Sequence, residues 1–310
     1  MAFLVAVAAL VLAAFAAPAS AAAPIAEIPY RIDYDGAITV EATIDGRGPY
    51  DFIVDTGATL SLAFQNLAAR ESFAPTGGPP RRVLGIGGSA LLDTYRIGDI
   101  AVGAASLDDH IGVIIPDWAA PRRSPAGVIG LDFLRRYAVI FNIRSRTITL
   151  YPHGEIPKDR IDGWRSIKLR ANTYAAASGA LYSTKGLINR SPTTFLIDIG
   201  SGTTLINYRA AEAMFSSVVS RDLGEGFTTG SRLKDIFDDR TRVRTALINR
   251  IQVGRVSWRR VGVIVHDAPI FDEIGVQRLP FALLGADLIM GGDFALDFGE
   301  LRLYLAKRRA

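Results

Sequence analysis

Phe52-Ile53-Val54-Asp55-Thr56-Gly57 and Phe195-Leu196-Ile197-Asp198-Ile199-Gly200 are the two stretches on which the fold turns. Each is an apolar, strand-like run that ends in a carboxylate and bends at once through glycine. Each has a proline six residues before its aspartate, Pro49 and Pro192. A single Asp-x-Gly carries little information, because Asp and Gly are common turn residues. Two of them in matched settings, one in each half of a chain, imply that the halves contribute to one site.

The repetition extends outward from both stretches. Asp45-Gly46-Arg47-Gly48-Pro49 and Asn189-Arg190-Ser191-Pro192 mark hairpin turns ahead of the two aspartates. Ile100-Ala101-Val102-Gly103 is answered by Ile251-Gln252-Val253-Gly254, and Ile111-Gly112-Val113-Ile114-Ile115 by Val261-Gly262-Val263-Ile264-Val265. Val128-Ile129-Gly130-Leu131-Asp132 corresponds to Leu283-Leu284-Gly285-Ala286-Asp287, and Ile148-Thr149-Leu150-Tyr151 to Leu301-Arg302-Leu303-Tyr304. The pieces are short, rich in β-branched residues and bounded by Gly, Pro, Asn or Asp, a strand-and-turn pattern. Short helices are expected over 63–71 and 208–215 and just after Gly130 and Gly285, with Asp132 and Asp287 as their N-caps.

The expected architecture is mainly β and bilobal, two homologous β-barrel-like lobes with a cleft between them. The lobes span 25–155 and 163–308, joined by a linker over 156–162 within a polar, proline-bearing stretch. A chain of 310 residues suffices for two such units. Residues 2–17 are small and apolar and lead to Ala19-Ser20-Ala21, the pattern of a secretory signal peptide over 1–21. The run is shorter than the ~20 residues of a spanning helix. A periplasmic or secreted protein is expected, with membrane attachment only if that segment is retained as an anchor.

The chain has no cysteine, which excludes disulfides, thiol nucleophiles and Cys-based metal sites. Its net charge of +4 comes from scattered arginines, as in Arg81-Arg82 and Arg259-Arg260, with no clustered basic run interleaved with aromatics, so no nucleic-acid partner is expected. His110, His153 and His266 are isolated and lack metal-ligand spacing. No serine sits in a nucleophile-elbow context beside them. No metal and no organic cofactor is expected. Trp118, Trp164 and Trp258 read as core or rim residues.

Two carboxyls sharing one proton can hydrolyse an amide: the ionised one takes a proton from water and the protonated one supplies the leaving nitrogen. Phe52 to Thr59 followed by Val128-Ile129-Gly130 resembles the first lobe of a retropepsin-like aspartic protease, and Leu131-Asp132-Phe133-Leu134 resembles the Gly-Leu-Asp-Phe-Leu stretch of bacterial members. Phe195 to Thr203 with Leu283-Leu284-Gly285 resembles a second lobe, so the single chain is similar in plan to pepsin. The resemblance implies Asp55 and Asp198 as catalytic dyad, with Thr56, Gly57, Gly200 and Ser201 supporting it. It implies a substrate-binding flap at Gly85-Ile86-Gly87-Gly88, between strand-like runs over 82–84 and 90–95, and a second-lobe counterpart near Leu223 to Phe227. It also implies a monomer that acts on an extended segment of a polypeptide.

One departure stands out. Ile199 occupies the place where the family carries Thr or Ser, so a cross-lobe clasp of hydroxyls is at best one-sided. Two alternatives follow: a peptide-binding pseudoprotease, and, from the likeness of Asp198-Ile199-Gly200-Ser201-Gly202-Thr203 to a phosphate loop, an actin-like or sugar-kinase ATPase.

Overall fold

A computed structural model describes residues 22–33, 36–117, 124–174, 179–214, 227–234 and 240–307. The expected signal peptide over 1–21, Trp118 and the second-lobe flap candidate up to residue 226 lie outside them. Side chains of residues 214, 227–234 and 240–242 are likewise outside the description.

The hairpin turns form where the sequence places them, with a tight geometry. Asp45 and Gly46 both take positive φ (49° and 76°) between the strands Ile38–Ile44 and Arg47–Val54. Asn189 and Arg190 do the same (47° and 92°) between Ala180–Ile188 and Ser191–Ile197. Two consecutive left-handed residues match the right-handed twist of the flanking strands. Each turn therefore fixes the register of the strand that ends in an aspartate.

Each aspartate-bearing strand is buried between neighbours. Arg47–Val54 runs parallel to Gly127–Ile129, with Ile53 opposite Val128, and that short strand pairs antiparallel with Leu62–Phe64. In the second lobe Ser191–Ile197 runs parallel to Phe281–Leu284, with Leu196 opposite Leu283, and that strand pairs antiparallel with Leu205–Ile206. Coverage on both faces explains the unbroken apolar runs: Phe52, Val54, Phe195, Leu196 and Ile197 are all buried. Phe64 ends a strand rather than opening a helix, so the expected 63–71 helix shortens to Gln65–Glu71. The second helix forms as Tyr208–Met214.

The lobes share a sheet. Ala138–Asn142 from the first pairs with Phe294–Asp297 from the second, in the strand order Arg165–Lys168, Arg302–Leu305, Phe294–Asp297, Ala138–Asn142, Thr147–Tyr151, Ala26–Ile32. At its centre Phe141 and Phe294 lie opposite one another and stack with ring centroids 4.4 Å apart. Both rings are fully buried. This shared sheet sets the separation and orientation of the two aspartate turns. The linker carries one turn of 3-10 helix at Lys158–Ile161.

The fold is mainly β, and the longest described helices have seven residues. The α/β sheet with long flanking helices that an actin-like ATPase needs is not what these described residues build, which corrects that alternative.

Candidate active site

Each aspartate is held at the end of its strand by a backbone bond to the neighbouring parallel strand. Asp55 N donates to Ile129 O at 3.0 Å and Asp198 N to Leu284 O at 3.1 Å. Each carboxylate then accepts from its own turn: Gly57 N donates to Asp55 Oδ1 at 2.7 Å, and Ser201 N to Asp198 Oδ1 at 3.0 Å. The two carboxyls meet across the lobes, each lying against the other's turn glycine.

The glycines are needed where the lobes cross. A Cβ on Gly57 would lie 2.8 Å from Asp198 Oδ1, and one on Gly200 would lie 2.2 Å from Asp55 Oδ1. Each turn thus leaves room for the opposite carboxyl, a reciprocal fit that the sequence repeat predicts. Burial pushes the acidity of both groups down. Asp198 is held well above the usual carboxylate range, first by desolvation and then by the charge of Asp55. Asp55 is also raised by burial, and amide donors with the Asp198 hydrogen bond oppose that rise. The pair retains a shared proton at pH values where isolated carboxyls have lost theirs.

Thr56 ties the lobes together. Its hydroxyl donates to Ile197 O at 3.0 Å and accepts from Ile199 N at 3.0 Å, and the residue is buried. Ile199 is fully buried in the main apolar cluster and contributes no hydroxyl in return. Ser201 contributes through its backbone; its hydroxyl donates to Thr203 O at 2.9 Å rather than to a carboxylate.

Asp132 and Asp287 are not N-caps, a correction to the sequence reading. The caps are Gly130 and Gly285, and the aspartates sit inside the helices Leu131–Leu134 and Ala286–Ile289. Their carboxylates reach across to the segment after each aspartate turn. Asp132 Oδ1 accepts Ser61 N at 2.9 Å and Ser61 Oγ at 2.6 Å, while Gly130 N donates to Ser61 Oγ at 3.0 Å. Asp287 Oδ1 accepts Thr204 N at 3.0 Å and Thr204 Oγ1 at 2.7 Å, while Gly285 N donates to Thr204 Oγ1 at 3.1 Å. The signal for these struts was present: a hydroxyl six residues after each aspartate and an aspartate two after each glycine. Gly130 and Gly285 lie directly against the turns, since a Cβ would stand 2.8 Å from Leu60 O and 2.7 Å from the Thr203 carbonyl carbon respectively.

Gly85-Ile86-Gly87-Gly88 forms the tip of a two-stranded hairpin, Arg81–Gly85 with Gly88–Leu92, separate from the large sheets. Val83 and Leu92 pack on the apolar cluster around Ile53 and Leu62, against which Ala58 and Leu60 also pack, and Ile86 packs on the main core. From the other lobe Glu273, at the end of the helix Pro269–Glu273, accepts the Ser89 hydroxyl at 2.7 Å, and Ser89 Oγ in turn accepts Arg82 Nη1 at 2.8 Å. The run expected over 90–95 ends at Leu92, so Tyr95 is not on this hairpin; its strand Thr94–Val102 begins beyond it and pairs Tyr95 with Gly112 and Pro75. Trp258 is buried, donating Nε1–H to Leu288 O at 3.0 Å. Among the described residues no three side chains are grouped to hold a metal ion, and no helix is long and apolar enough to cross a membrane.

A family model described as aspartyl protease matches residues 40–133, which hold Asp55, the hairpin of Arg81–Gly85 with Gly88–Leu92, and Gly130. No curated protein matches the chain.

Proposed function

We propose that the chain, similar to aspartyl proteases over residues 40–133, is an endopeptidase that cuts an extended segment of an exported polypeptide at a water held between Asp55 and Asp198. The observation that carries the reading is the meeting of two carboxyls delivered by matched turns, each against the opposite lobe's turn glycine. The second lobe lies outside the matched region, and its strand pairing, glycine clearance and Asp287 strut repeat those of the first.

The chemistry follows from the asymmetry of the pair. The ionised carboxyl accepts a proton from the nucleophilic water as its oxygen attacks the peptide carbonyl carbon. The protonated partner, favoured at Asp198 by deeper burial, donates to the carbonyl oxygen. A gem-diol results, and collapse with proton return to the nitrogen breaks the C–N bond. Gly57 and Ser201 amides hold the carboxylate oxygens in line throughout. The flap covers the segment and limits water to the molecule that reacts.

Export rests on the apolar run over 2–17 and Ala19-Ser20-Ala21, and monomeric action on both turns lying in one chain. The missing hydroxyl at Ile199 favours one further reading, a pseudoprotease that binds peptides without cutting. Incubation of an unfolded protein with wild type, Asp55→Ala and Asp198→Ala, with and without a statine-type inhibitor, separates the two. Endoproteolysis by wild type alone, blocked by the inhibitor, supports the enzyme. Inhibitor binding with no cleavage at any pH supports the pseudoprotease.

A further inference from the structure

The two struts beneath the dyad share three bonds: the aspartate accepts from the amide and from the hydroxyl of the facing residue, and the glycine amide donates to that hydroxyl. In lobe one a histidine is added. His110 Nε2 lies 2.8 Å from Ser61 O, and a carbonyl only accepts, so Nε2 carries the proton. The other nitrogen, Nδ1, then faces Asp132 Oδ2 at 3.7 Å. His110 is buried, whereas Arg260, which matches it through the Ile111–Val261 correspondence, is exposed. In lobe two the Thr204 carbonyl accepts instead from a backbone amide, Ile264 N at 3.0 Å, which has no second nitrogen to titrate against Asp287.

Ser61 is therefore gripped on three sides: at its amide and hydroxyl by Asp132, and at its carbonyl by His110. The next residue back, Leu60, abuts Gly130, and Ala58 O accepts Leu131 N at 2.8 Å. That contact leads straight into the Asp55 turn. With His110 neutral, an unshared pair on Nδ1 points at a carboxylate. With a proton on Nδ1, the same contact becomes a charge-assisted hydrogen bond, which favours a separation of ~2.7–2.9 Å.

We propose that His110 is a positioning residue for Asp55: by taking up a proton it tightens the Asp132–Ser61 strut and aligns the lobe-one carboxyl, so that peptide hydrolysis responds to pH through one lobe. The inference rests on the hydrolytic reading above. The charged groups facing His110 are Asp132 from the helix Leu131–Leu134, Arg136 just beyond that helix, and Arg81 from the flap strand. Burial and the two arginines lower the histidine's affinity for the proton, and Asp132 raises it, so the switch operates on the acid side of an ordinary histidine.

The test compares log kcat and KM against pH for wild type, His110→Gln, Asp132→Asn and Asp287→Asn on one quenched-fluorescence peptide. It is paired with NMR titration of the Gly57 and Gly200 amides. On acidification wild type gains a step in kcat that His110→Gln and Asp132→Asn lose, about tenfold at the acid end with KM within about twofold. Asp287→Asn lowers the rate by one factor at all pH values and keeps the step. The Gly57 amide follows the imidazole titration in wild type and loses that component in His110→Gln, while Gly200 does not respond. Superimposable profiles, a uniform loss across pH in His110→Gln, or a Gly57 amide blind to His110 would overturn the proposal. If wild type cuts nothing, the hydrolytic reading fails, and the Gly57 titration still decides the positioning role.

Discussion

The hydroxyl of Thr56 serves the opposite lobe twice, accepting from Ile199 N and donating to Ile197 O, each at 3.0 Å. Both bonds are buried and span more than 140 positions of sequence, so this one side chain holds the two aspartate turns in register. Thr56→Val keeps the shape and leaves the Ile199 amide without its acceptor. A buried donor so stranded costs about 1–3 kcal/mol. Thr56→Val is expected to show a matching drop in unfolding free energy and a larger proportional loss in kcat/KM, while Thr56→Ser retains most of both. Urea unfolding beside peptide hydrolysis checks this, and a Thr56→Val enzyme of normal rate would refute the clasp.

Ile199→Thr tests the other side of the same contact. It adds the hydroxyl that lobe two lacks, worth about 0.5–1.5 kcal/mol, and removes apolar volume from a fully buried site, which costs a similar amount. Stability is expected to stay within about 1 kcal/mol of wild type by those offsetting magnitudes. A rise in kcat with little change in stability would mark the one-sided clasp as a limit on dyad alignment.

Gly57→Ala and Gly200→Ala should each abolish cleavage without unfolding the chain. The added methyl would stand 2.8 Å from Asp198 Oδ1 in one case and 2.2 Å from Asp55 Oδ1 in the other. The carboxyl must move, and a displacement on the order of 1 Å costs about a hundredfold in rate. Circular dichroism with an activity assay distinguishes this from global destabilisation.

Asp198→Asn should raise thermal stability at neutral pH while removing activity. A carboxyl whose folded-state pKa is raised binds its proton more tightly in the native than in the unfolded chain. It therefore favours the fold below its unfolded value, and that contribution is lost as pH rises through the folded value. The amide variant carries no such loss, so its advantage over wild type grows from acid toward neutral pH. Melting curves from pH 4 to 8 test the sign. For a chain of this size each kcal/mol corresponds to about 2–4 °C.

The Ser89–Glu273 hydrogen bond fastens the flap hairpin to the second lobe. Glu273→Ala is expected to speed amide hydrogen exchange across 83–90 and to raise KM more than it lowers kcat, because substrate would meet an unlatched lid. Unchanged exchange in that hairpin would show that its packing through Val83, Ile86 and Leu92 holds it alone.

What the sequence made legible was local. The apolar runs ending in Asp55 and Asp198, the two left-handed hairpin turns and the glycines at 130 and 285 follow from residue type and spacing, and the repeat doubled each signal. The shared sheet was not legible, because Phe141 and Phe294 stack across more than 150 positions with nothing in either strand to name its partner. Asp132 and Asp287 misled for a physical reason: an acidic residue near a helix start is usually spent on that helix, and here it is spent on the neighbouring turn. The flap tip was visible in its glycines, but its fastening to Glu273 depends on a helix of the other lobe.

The most direct test of the central claim is a double-mutant cycle on the two aspartates, read as kcat/KM on one peptide. Asp55→Asn, Asp198→Asn and the double variant are each expected to fall to the same floor, about a thousandfold or more below wild type, because removing either member of a unit removes the whole. A single variant that keeps wild-type activity, or losses that multiply in the double variant, would show that the two carboxyls do not act on one water.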